Sequence, residues 1–277
     1  MPELAEVEFY RKQWNPGRGQ IVRAVEAHPQ ARIFRAASAT QVATALRGEA
    51  MNASLAAGKQ MLFRFGADAW LGVHLGMSGE LAARGLDFVA GRHDHLVLRT
   101  ANAALVFTDP RMFGRIDVTI GTAAPAWWTR VAPAILSDAF AVQSVADYLQ
   151  RRRRAPLKTV LLIQERFPGI GNWMADEILW RAGIHPRRRA GSLGPSDVRA
   201  LWRECRQVCR MALHAIAGRR ENEMPSALNS RIPDSWLFNH RWENGGRCPK
   251  TGRPLVREVV GGRTTCWSPA RQKLHRR

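Results

Sequence analysis

The chain opens MPELAEVEFY, a run whose residue types could carry out covalent chemistry. Pro2 is small enough to permit removal of Met1, and the chain would then start with a secondary amine followed by Glu3 and Glu6. A free α-amine titrates near about pH 7.7–8, far below lysine. The positive end of a helix dipole lowers that value further, because it disfavours an ammonium. Attack of such an amine on an aldehyde carbon gives an iminium ion, an electron sink that permits elimination. Nearby carboxylates can move the protons. The same stretch also reads as ordinary capping, since proline at a helix start followed by acidic residues is common.

Four further stretches carry reactive or recognition types. Lys59, in AAGKQMLFRF, follows a glycine and opens a strand, which fits a solvated lysine as well as a functional one. In HLGMSGEL, from His74 to Leu81, Gly76 and Gly79 bracket Met77 and Ser78 and so allow close backbone approach. In TDPRMFGR, Arg111 and Phe113 follow a proline turn. Methionine, arginine and phenylalanine on loop tips of a basic protein are the types expected to fill a hole in a duplex. In FPGIGNWMADEILWRAGIHP, Gly169, Gly171 and Asn172 open a helix, whose N–H groups and dipole suit a phosphate. An ordinary interhelical turn fits that last stretch equally well.

The elements that must position these residues fall into three sections, expected at 1–135, 136–235 and 236–277. A short helix over residues 3–14 stops at Asn15–Gly17. From Ile21 to about Val118 the pattern is strand-like: MLFRF alternates, a turn at 66–68 follows, and HLVLRT and ALVFTD flank a tight turn near residues 101–102. That predicts a β-sandwich or barrel-like domain with a helix at its start. From about Ser144 the character is helical, ending in a long helix over 196–217. There Val198, Leu201, Trp202, Cys205, Val208, Cys209, Ala212 and Ile216 recur at helical spacing, which assigns both thiols to packing. Residues 219–235 are polar, interrupted by prolines, and read as a loop. The fold class expected is therefore α+β.

Charge narrows the partner. The 42 Lys and Arg against 23 Asp and Glu leave a net charge of +19, which suits a polyanion whose counterions are released on binding. The excess is clustered, at Arg151–Arg154, Arg187–Arg189, Arg219–Arg220 and throughout 236–277. No run of apolar residues is long enough for a transmembrane helix, and the acidic start lacks a secretory pattern. Four cysteines without such a pattern are expected to be reduced, and the chain to be cytoplasmic.

Together, and in this order, PELAEVE, the Gly58–Lys59 pair, HLGMSGEL, DPRMFG, LSDAF, GIGNWMADEILWRAGIHP and GGRTTCW resemble the formamidopyrimidine-DNA glycosylase/endonuclease VIII family along nearly the whole chain. The resemblance implies an N-terminal β-sandwich with flanking helices, a helix–two-turn–helix domain and a C-terminal β-hairpin finger, with damaged double-stranded DNA in the cleft between them. It implies a monomeric bifunctional glycosylase and abasic-site lyase of base excision repair. By it, Pro2 is the nucleophile, Glu3 the carboxylate assisting ring opening and proton transfer, and Glu6 a second glutamate near the lesion pocket. Lys59 would contact phosphate beside the lesion. Met77, Arg111 and Phe113 would fill the gap left by the everted nucleotide. Lys158, Asn172 and Arg263 would bind phosphates, and His74 and His93 complete the DNA-contacting set. The Met/Arg/Phe trio and the PEL start resemble the formamidopyrimidine branch, with Arg111 able to hydrogen-bond the orphaned base.

Departures from the family pattern qualify these implications. Ala5 stands for a customary proline and Met112 for an arginine, and 219–240, where the family carries its lesion-capping loop, does not match. The finger departs most. Of the four cysteines a zinc-bearing finger pairs, Cys248 remains, while Thr251, Ser268 and Arg271 occupy the other three places. One thiolate cannot hold a tetrahedral structural zinc. A different set from Cys248, Cys266, His240 and His275 has no ribbon spacing. The expectation is a zincless finger packed on Val256, Val259, Cys266 and Trp267, with no metal and no cofactor. A zinc-ribbon transcription factor fails on ligand count. The alternatives kept open are a non-catalytic damaged-DNA-binding protein on the same scaffold and an endonuclease VIII-like enzyme preferring pyrimidines.

Overall fold

The computed structural model describes residues 1–223 and 227–274. Its contacts divide the chain into two compact units: Met1–Val131 with Ala217–Ser226, and Ala132–Ile216 with Ala227–Arg277. The finger residues fall in the second unit with the helices.

The first unit starts with helix α1 (Leu4–Gln13) and a 3₁₀ turn at Asn15–Gly17. It then carries eight strands: β1 (Ala24–Ala27), β2 (Met51–Ala57), β3 (Gln60–Phe65), β4 (Ala69–His74), β5 (Glu80–Arg84), β6 (Asp94–Arg99), β7 (Ala104–Thr108) and β8 (Arg115–Ile120). They pair antiparallel into two four-stranded sheets, ordered β1-β6-β7-β5 and β2-β3-β4-β8. Sequential neighbours supply three of the six pairings, two of them through the turns at 66–68 and 101–102 that the sequence marks. Trp14 joins the two sheets: it is fully buried, its indole N–H donates to the Val106 carbonyl (3.2 Å), and its ring lies 4.9 Å from that of Phe63. Phe63, Phe65 and Phe107 are also fully buried. Each such side chain contributes about 2–3 kcal/mol by leaving water.

The strand-like reading of 21–118 misses one element. Helix α2 (Ala39–Leu46) lies inside it, started by a capping box in which Ser38 Oγ accepts the Gln41 N–H and Gln41 Oε1 accepts the Ser38 N–H (2.7 Å). Eight residues with three buried positions give too short a period to stand out between strands.

At its C-terminal end α1 is tied to the segment that returns to this unit. Arg11, 3% exposed, reaches both Glu8 and Glu221 at 2.7 Å. Lys12 Nζ donates to the carbonyls of Ala217 (2.8 Å) and Arg220 (2.6 Å). Asn15 adds a bond to the Glu221 carbonyl.

The second unit holds α4 (Val142–Arg151), α5 (Leu157–Leu161), α6 (Asn172–Ala182) and α7 (Pro195–Ala212), the last continuing as a π-helical turn to Ala217. A four-residue helix, α3 (Ala126–Thr129), ends the first unit. Cys205 and Cys209 are buried on the inner face of α7, as the helical spacing predicts. The finger is a hairpin of β9 (Val256–Val260) and β10 (Arg263–Trp267), turned at Gly261 and Gly262, both with positive φ. Its core differs from the expected set. Val259 is 62% exposed, whereas Leu255, Cys248 and Cys266 bury themselves against Trp180 and Leu237. In an isolated pair of strands one face must meet another element, and here the residue just before β9 takes that place.

Candidate functional site

In the first unit α1 presents the N-terminal residues. Glu3 is the N-cap residue, extended, and only 3% exposed; its N–H donates to the Glu6 carboxylate at 2.7 Å. Glu6 is buried as well. The two carboxylates therefore lie at the helix start, just after Pro2 in the chain. Tyr10, one turn on, is buried and hydrogen-bonded to Glu80; burial and the nearby Glu80 and Glu6 push its phenol up, so it stays protonated. With Met1 attached the Pro2 nitrogen is an amide whose lone pair is delocalised. It becomes a nucleophile only in a chain that starts at Pro2.

Lys59, in the β2–β3 turn, lies beside this end of α1, its Nζ 3.8 Å from the Met1 sulfur. His74, ending β4, accepts the Gly76 N–H at Nδ1 (3.0 Å). Burial, with Arg115, Lys59 and Arg35 near, lowers its pKa to about 4. The ring is thus neutral at pH 7, and with Nδ1 accepting, Nε2–H is left as a donor in a positively charged surround. His93 is half-buried, and its carbonyl accepts the Asp109 N–H.

Met77 and Phe113 are exposed apolar tips, 43% and 47% accessible. The Arg111 guanidinium stacks over the Phe113 ring at 4.8 Å. Their turns share one anchor that sequence reading passed over. Asp109 is fully buried, and its carboxylate accepts from Ser78 Oγ (2.6 Å), the Gly114 N–H (2.7 Å) and the Arg111 N–H (3.3 Å). One side chain thereby fixes the turn carrying Met77 and the turn carrying Arg111 and Phe113. Gly76, at φ +61°, faces the same contact: a Cβ there would lie 2.5 Å from the Gly114 nitrogen. Met112 takes φ +51°, a left-handed conformation rare outside glycine, between the two outward-facing residues. Only the aspartate's place before the Pro-Arg pair hinted at this role, as a turn-forming residue.

In the second unit Asn172 starts α6, and its Nδ2 donates to the Thr264 carbonyl of β10 (2.8 Å), while Oδ1 has no hydrogen-bond partner among the described residues. Arg263 is exposed one residue before Thr264. Lys158, which the resemblance assigns to phosphate, is buried, its Nζ donating to Asp176 Oδ1 and to the Asn172 carbonyl, both at 2.6 Å. An ammonium without access to solvent requires a counter-charge, and the partner lies in another helix, which spacing alone does not reveal.

At the positions that pair cysteines in a zinc-bearing finger, Cys248 is buried and its sulfur accepts the Trp180 indole N–H at 3.4 Å. Burial raises its thiol, but hydrogen bonds from Thr251, Trp180 and Ser268 and from the Lys250 backbone outweigh that and bring it to about 7. Burial and Asp176 push Cys266 up to about 12. His240 is engaged with the Asp234 carbonyl (2.7 Å), and His275 lies outside the described residues. Among the described residues no three His, Cys, Asp or Glu side chains come together to hold a metal ion.

Comparison with known proteins follows this geometry closely. Residues 1–116 match the formamidopyrimidine-DNA glycosylase N-terminal domain, and residues 131–222 the H2TH domain of the same enzymes. Formamidopyrimidine-DNA glycosylases of Roseiflexus sp. and Thermus thermophilus are each 34% identical, over 99% and 98% of this chain and 100% and 98% of theirs. The Fpg (MutM) protein of Lactococcus lactis, solved with DNA containing an oxidized pyrimidine, superposes with a TM-score of 0.86 at 26% identity, covering 99% of this chain and all of that one. The same enzyme solved with an N7-benzyl-Fapy-dG DNA gives the same score and coverage. Both domain matches and full-length relatives agree, so the chain belongs to the formamidopyrimidine-DNA glycosylase family.

Proposed function

We propose that this chain is a bifunctional DNA glycosylase and abasic-site lyase that acts on damaged double-stranded DNA as a monomer in the cytoplasm. The observation that carries the reading is the junction of Pro2, Glu3, Glu6 and Lys59 at one end of α1, in the same unit as the Met77 and Arg111–Phe113 tips. Eversion of the damaged nucleotide costs a few kcal/mol, less for a damaged base. Met77 and Phe113 would occupy the gap, and Arg111 would meet the orphaned base. The Pro2 nitrogen lone pair attacks C1′ as the base departs with its bonding pair and takes up a proton. Opening of the sugar ring then gives an iminium ion. Loss of a C2′ proton expels the 3′ phosphate, and a second elimination expels the 5′ phosphate. Glu3 carries protons in these steps. The Lactococcus lactis enzyme was solved with DNA containing an oxidized pyrimidine and with DNA containing N7-benzyl-Fapy-dG, so both base classes belong in the substrate panel.

Borohydride trapping on an abasic-site duplex tests the mechanism. Protein starting at Pro2 is expected to give a covalent adduct that Pro2→Gly with Glu3→Gln sharply reduces. No adduct from processed protein, or an undiminished one from the variant, overturns it. Should purified protein retain Met1, the blocked nitrogen favours the second reading, a damage-binding protein without catalysis.

The finger belongs to the same proposal, as a metal-free one. The Cys248 sulfur held by Trp180, and the cluster of Leu255, Cys266 and Leu237 around it, support this reading. Metal analysis of purified protein is expected to find no stoichiometric zinc; finding it would refute the metal-free finger.

A further inference from the structure

We propose that Asp176 is a positioning residue for phosphate binding by the finger, docking β10 onto α6 so that Arg263 is held in place. The inference rests on the reading of Arg263 and Asn172 as phosphate ligands. Asp176 is 1% exposed, and every donor around it comes from a different element. Its Oδ1 accepts from Lys158 of α5 at 2.6 Å. Its Oδ2 accepts from Arg241, at 2.6 Å from Nη2 and 3.2 Å from Nε, and from the backbone N–H of Cys266 at 2.9 Å. One turn earlier on the same helix, Asn172 takes the Thr264 carbonyl. Two backbone groups of β10 are thus held by α6, and both lie within three residues of Arg263.

A two-stranded hairpin is marginal by itself in water. In this finger the described residues supply no metal set, so its position depends on what docks it. The buried contacts of Cys248, Leu255 and Cys266 hold the base of the hairpin. Toward the Gly261–Gly262 turn, where Arg263 begins β10, the hold passes to Asn172 and Asp176. Gly261 packs against the Thr159 side chain and leaves no space for a larger residue there. Lys158 and Arg241 pair with the carboxylate and orient it. Both are donors only, so neither can replace the aspartate as the acceptor for the Cys266 N–H.

The test uses the full chain and a duplex carrying a tetrahydrofuran abasic analogue, with Kd measured across a salt series. Arg263→Ala is expected to weaken binding about tenfold or more, the loss of one charge-assisted hydrogen bond. It should also reduce the salt slope by about one phosphate. Asp176→Asn is expected to give the same losses, with KM raised and kcat unchanged on an abasic-site duplex. The two together should be no worse than Arg263→Ala alone. If Arg263→Ala leaves affinity and slope intact, the phosphate reading of the finger fails and the proposal with it. If Arg263→Ala acts but Asp176→Asn is silent, or the two effects multiply, only the positioning role is refuted. Should Asp176→Asn fail to fold, Asp176→Leu with Lys158→Met and Arg241→Met replaces the buried charges with apolar groups, an exchange that is often neutral or stabilising. That variant still lacks the acceptor for Cys266 and is read by the same criteria.

Discussion

Glu3→Gln, in protein that starts at Pro2, is expected to slow base release about 10²- to 10⁴-fold, the range of a lost general acid–base group. The substitution keeps shape and hydrogen-bonding capacity but removes the group that exchanges a proton. Glu3 is almost wholly buried, so water has poor access to substitute for it. Its structural duty survives the change: the bond to Glu6 is made by the Glu3 backbone N–H, so the helix start is retained. Single-turnover excision on a lesion-bearing duplex, with thermal melting as a control, separates the two outcomes. A large rate loss at unchanged stability confirms proton transfer; a rate within a factor of a few of the parent removes Glu3 from that role.

The second large effect is expected at Asp109. Asp109→Ala leaves the Ser78 hydroxyl and the Gly114 and Arg111 amides without their acceptor. A buried donor left unsatisfied costs about 1–3 kcal/mol. The three are neighbours and share one cavity, so their costs do not add, and a total of about 3 kcal/mol is expected by chemical denaturation. Asp109→Asn keeps one acceptor oxygen and should cost about half as much. Function should fall further than stability alone explains, since the two turns lose their common anchor. With folded protein at low temperature, excision opposite cytosine against excision opposite adenine reports whether Arg111 still discriminates. A variant that unfolds no more readily than the parent, or that discriminates as well, would show that Asp109 is a bystander.

The N-terminal end of α1 was the more legible part of the sequence. Pro2, Glu3 and Glu6 are adjacent in the chain, so helix capping and proximity follow from spacing alone. The two thiols of α7 were legible for a similar reason, since a repeat of 3.6 residues fixes which face is buried. Strand pairing was readable where turns were tight, as at 66–68. What spacing could not show was long-range pairing. Nothing in the spacing pairs Lys158 with a carboxylate until Asp176, 18 residues later, is placed beside it. Asp109 reads as a turn residue until Ser78, 31 residues earlier, is brought to its carboxylate. The finger core was misassigned because two-residue alternation does not say which face meets a helix. Val259 took the outer one and Leu255, just outside the strand, the inner.

One consequence concerns helix α1 as a mechanical part. Its ten residues form a rod of about 15 Å. One end carries Pro2 and the carboxylates. The other is bolted to 217–221, where the segment 219–240 begins, by Lys12 and Asn15 to backbone carbonyls and by Arg11 to the Glu221 carboxylate. A rigid rod transmits displacement without needing a conformational change of its own. The stretch that does not match the family's lesion-capping loop is therefore rooted at the far end of the helix that begins beside Pro2. Sequence drift there can be tolerated in the loop, but at its root it acts directly on the alignment of Pro2.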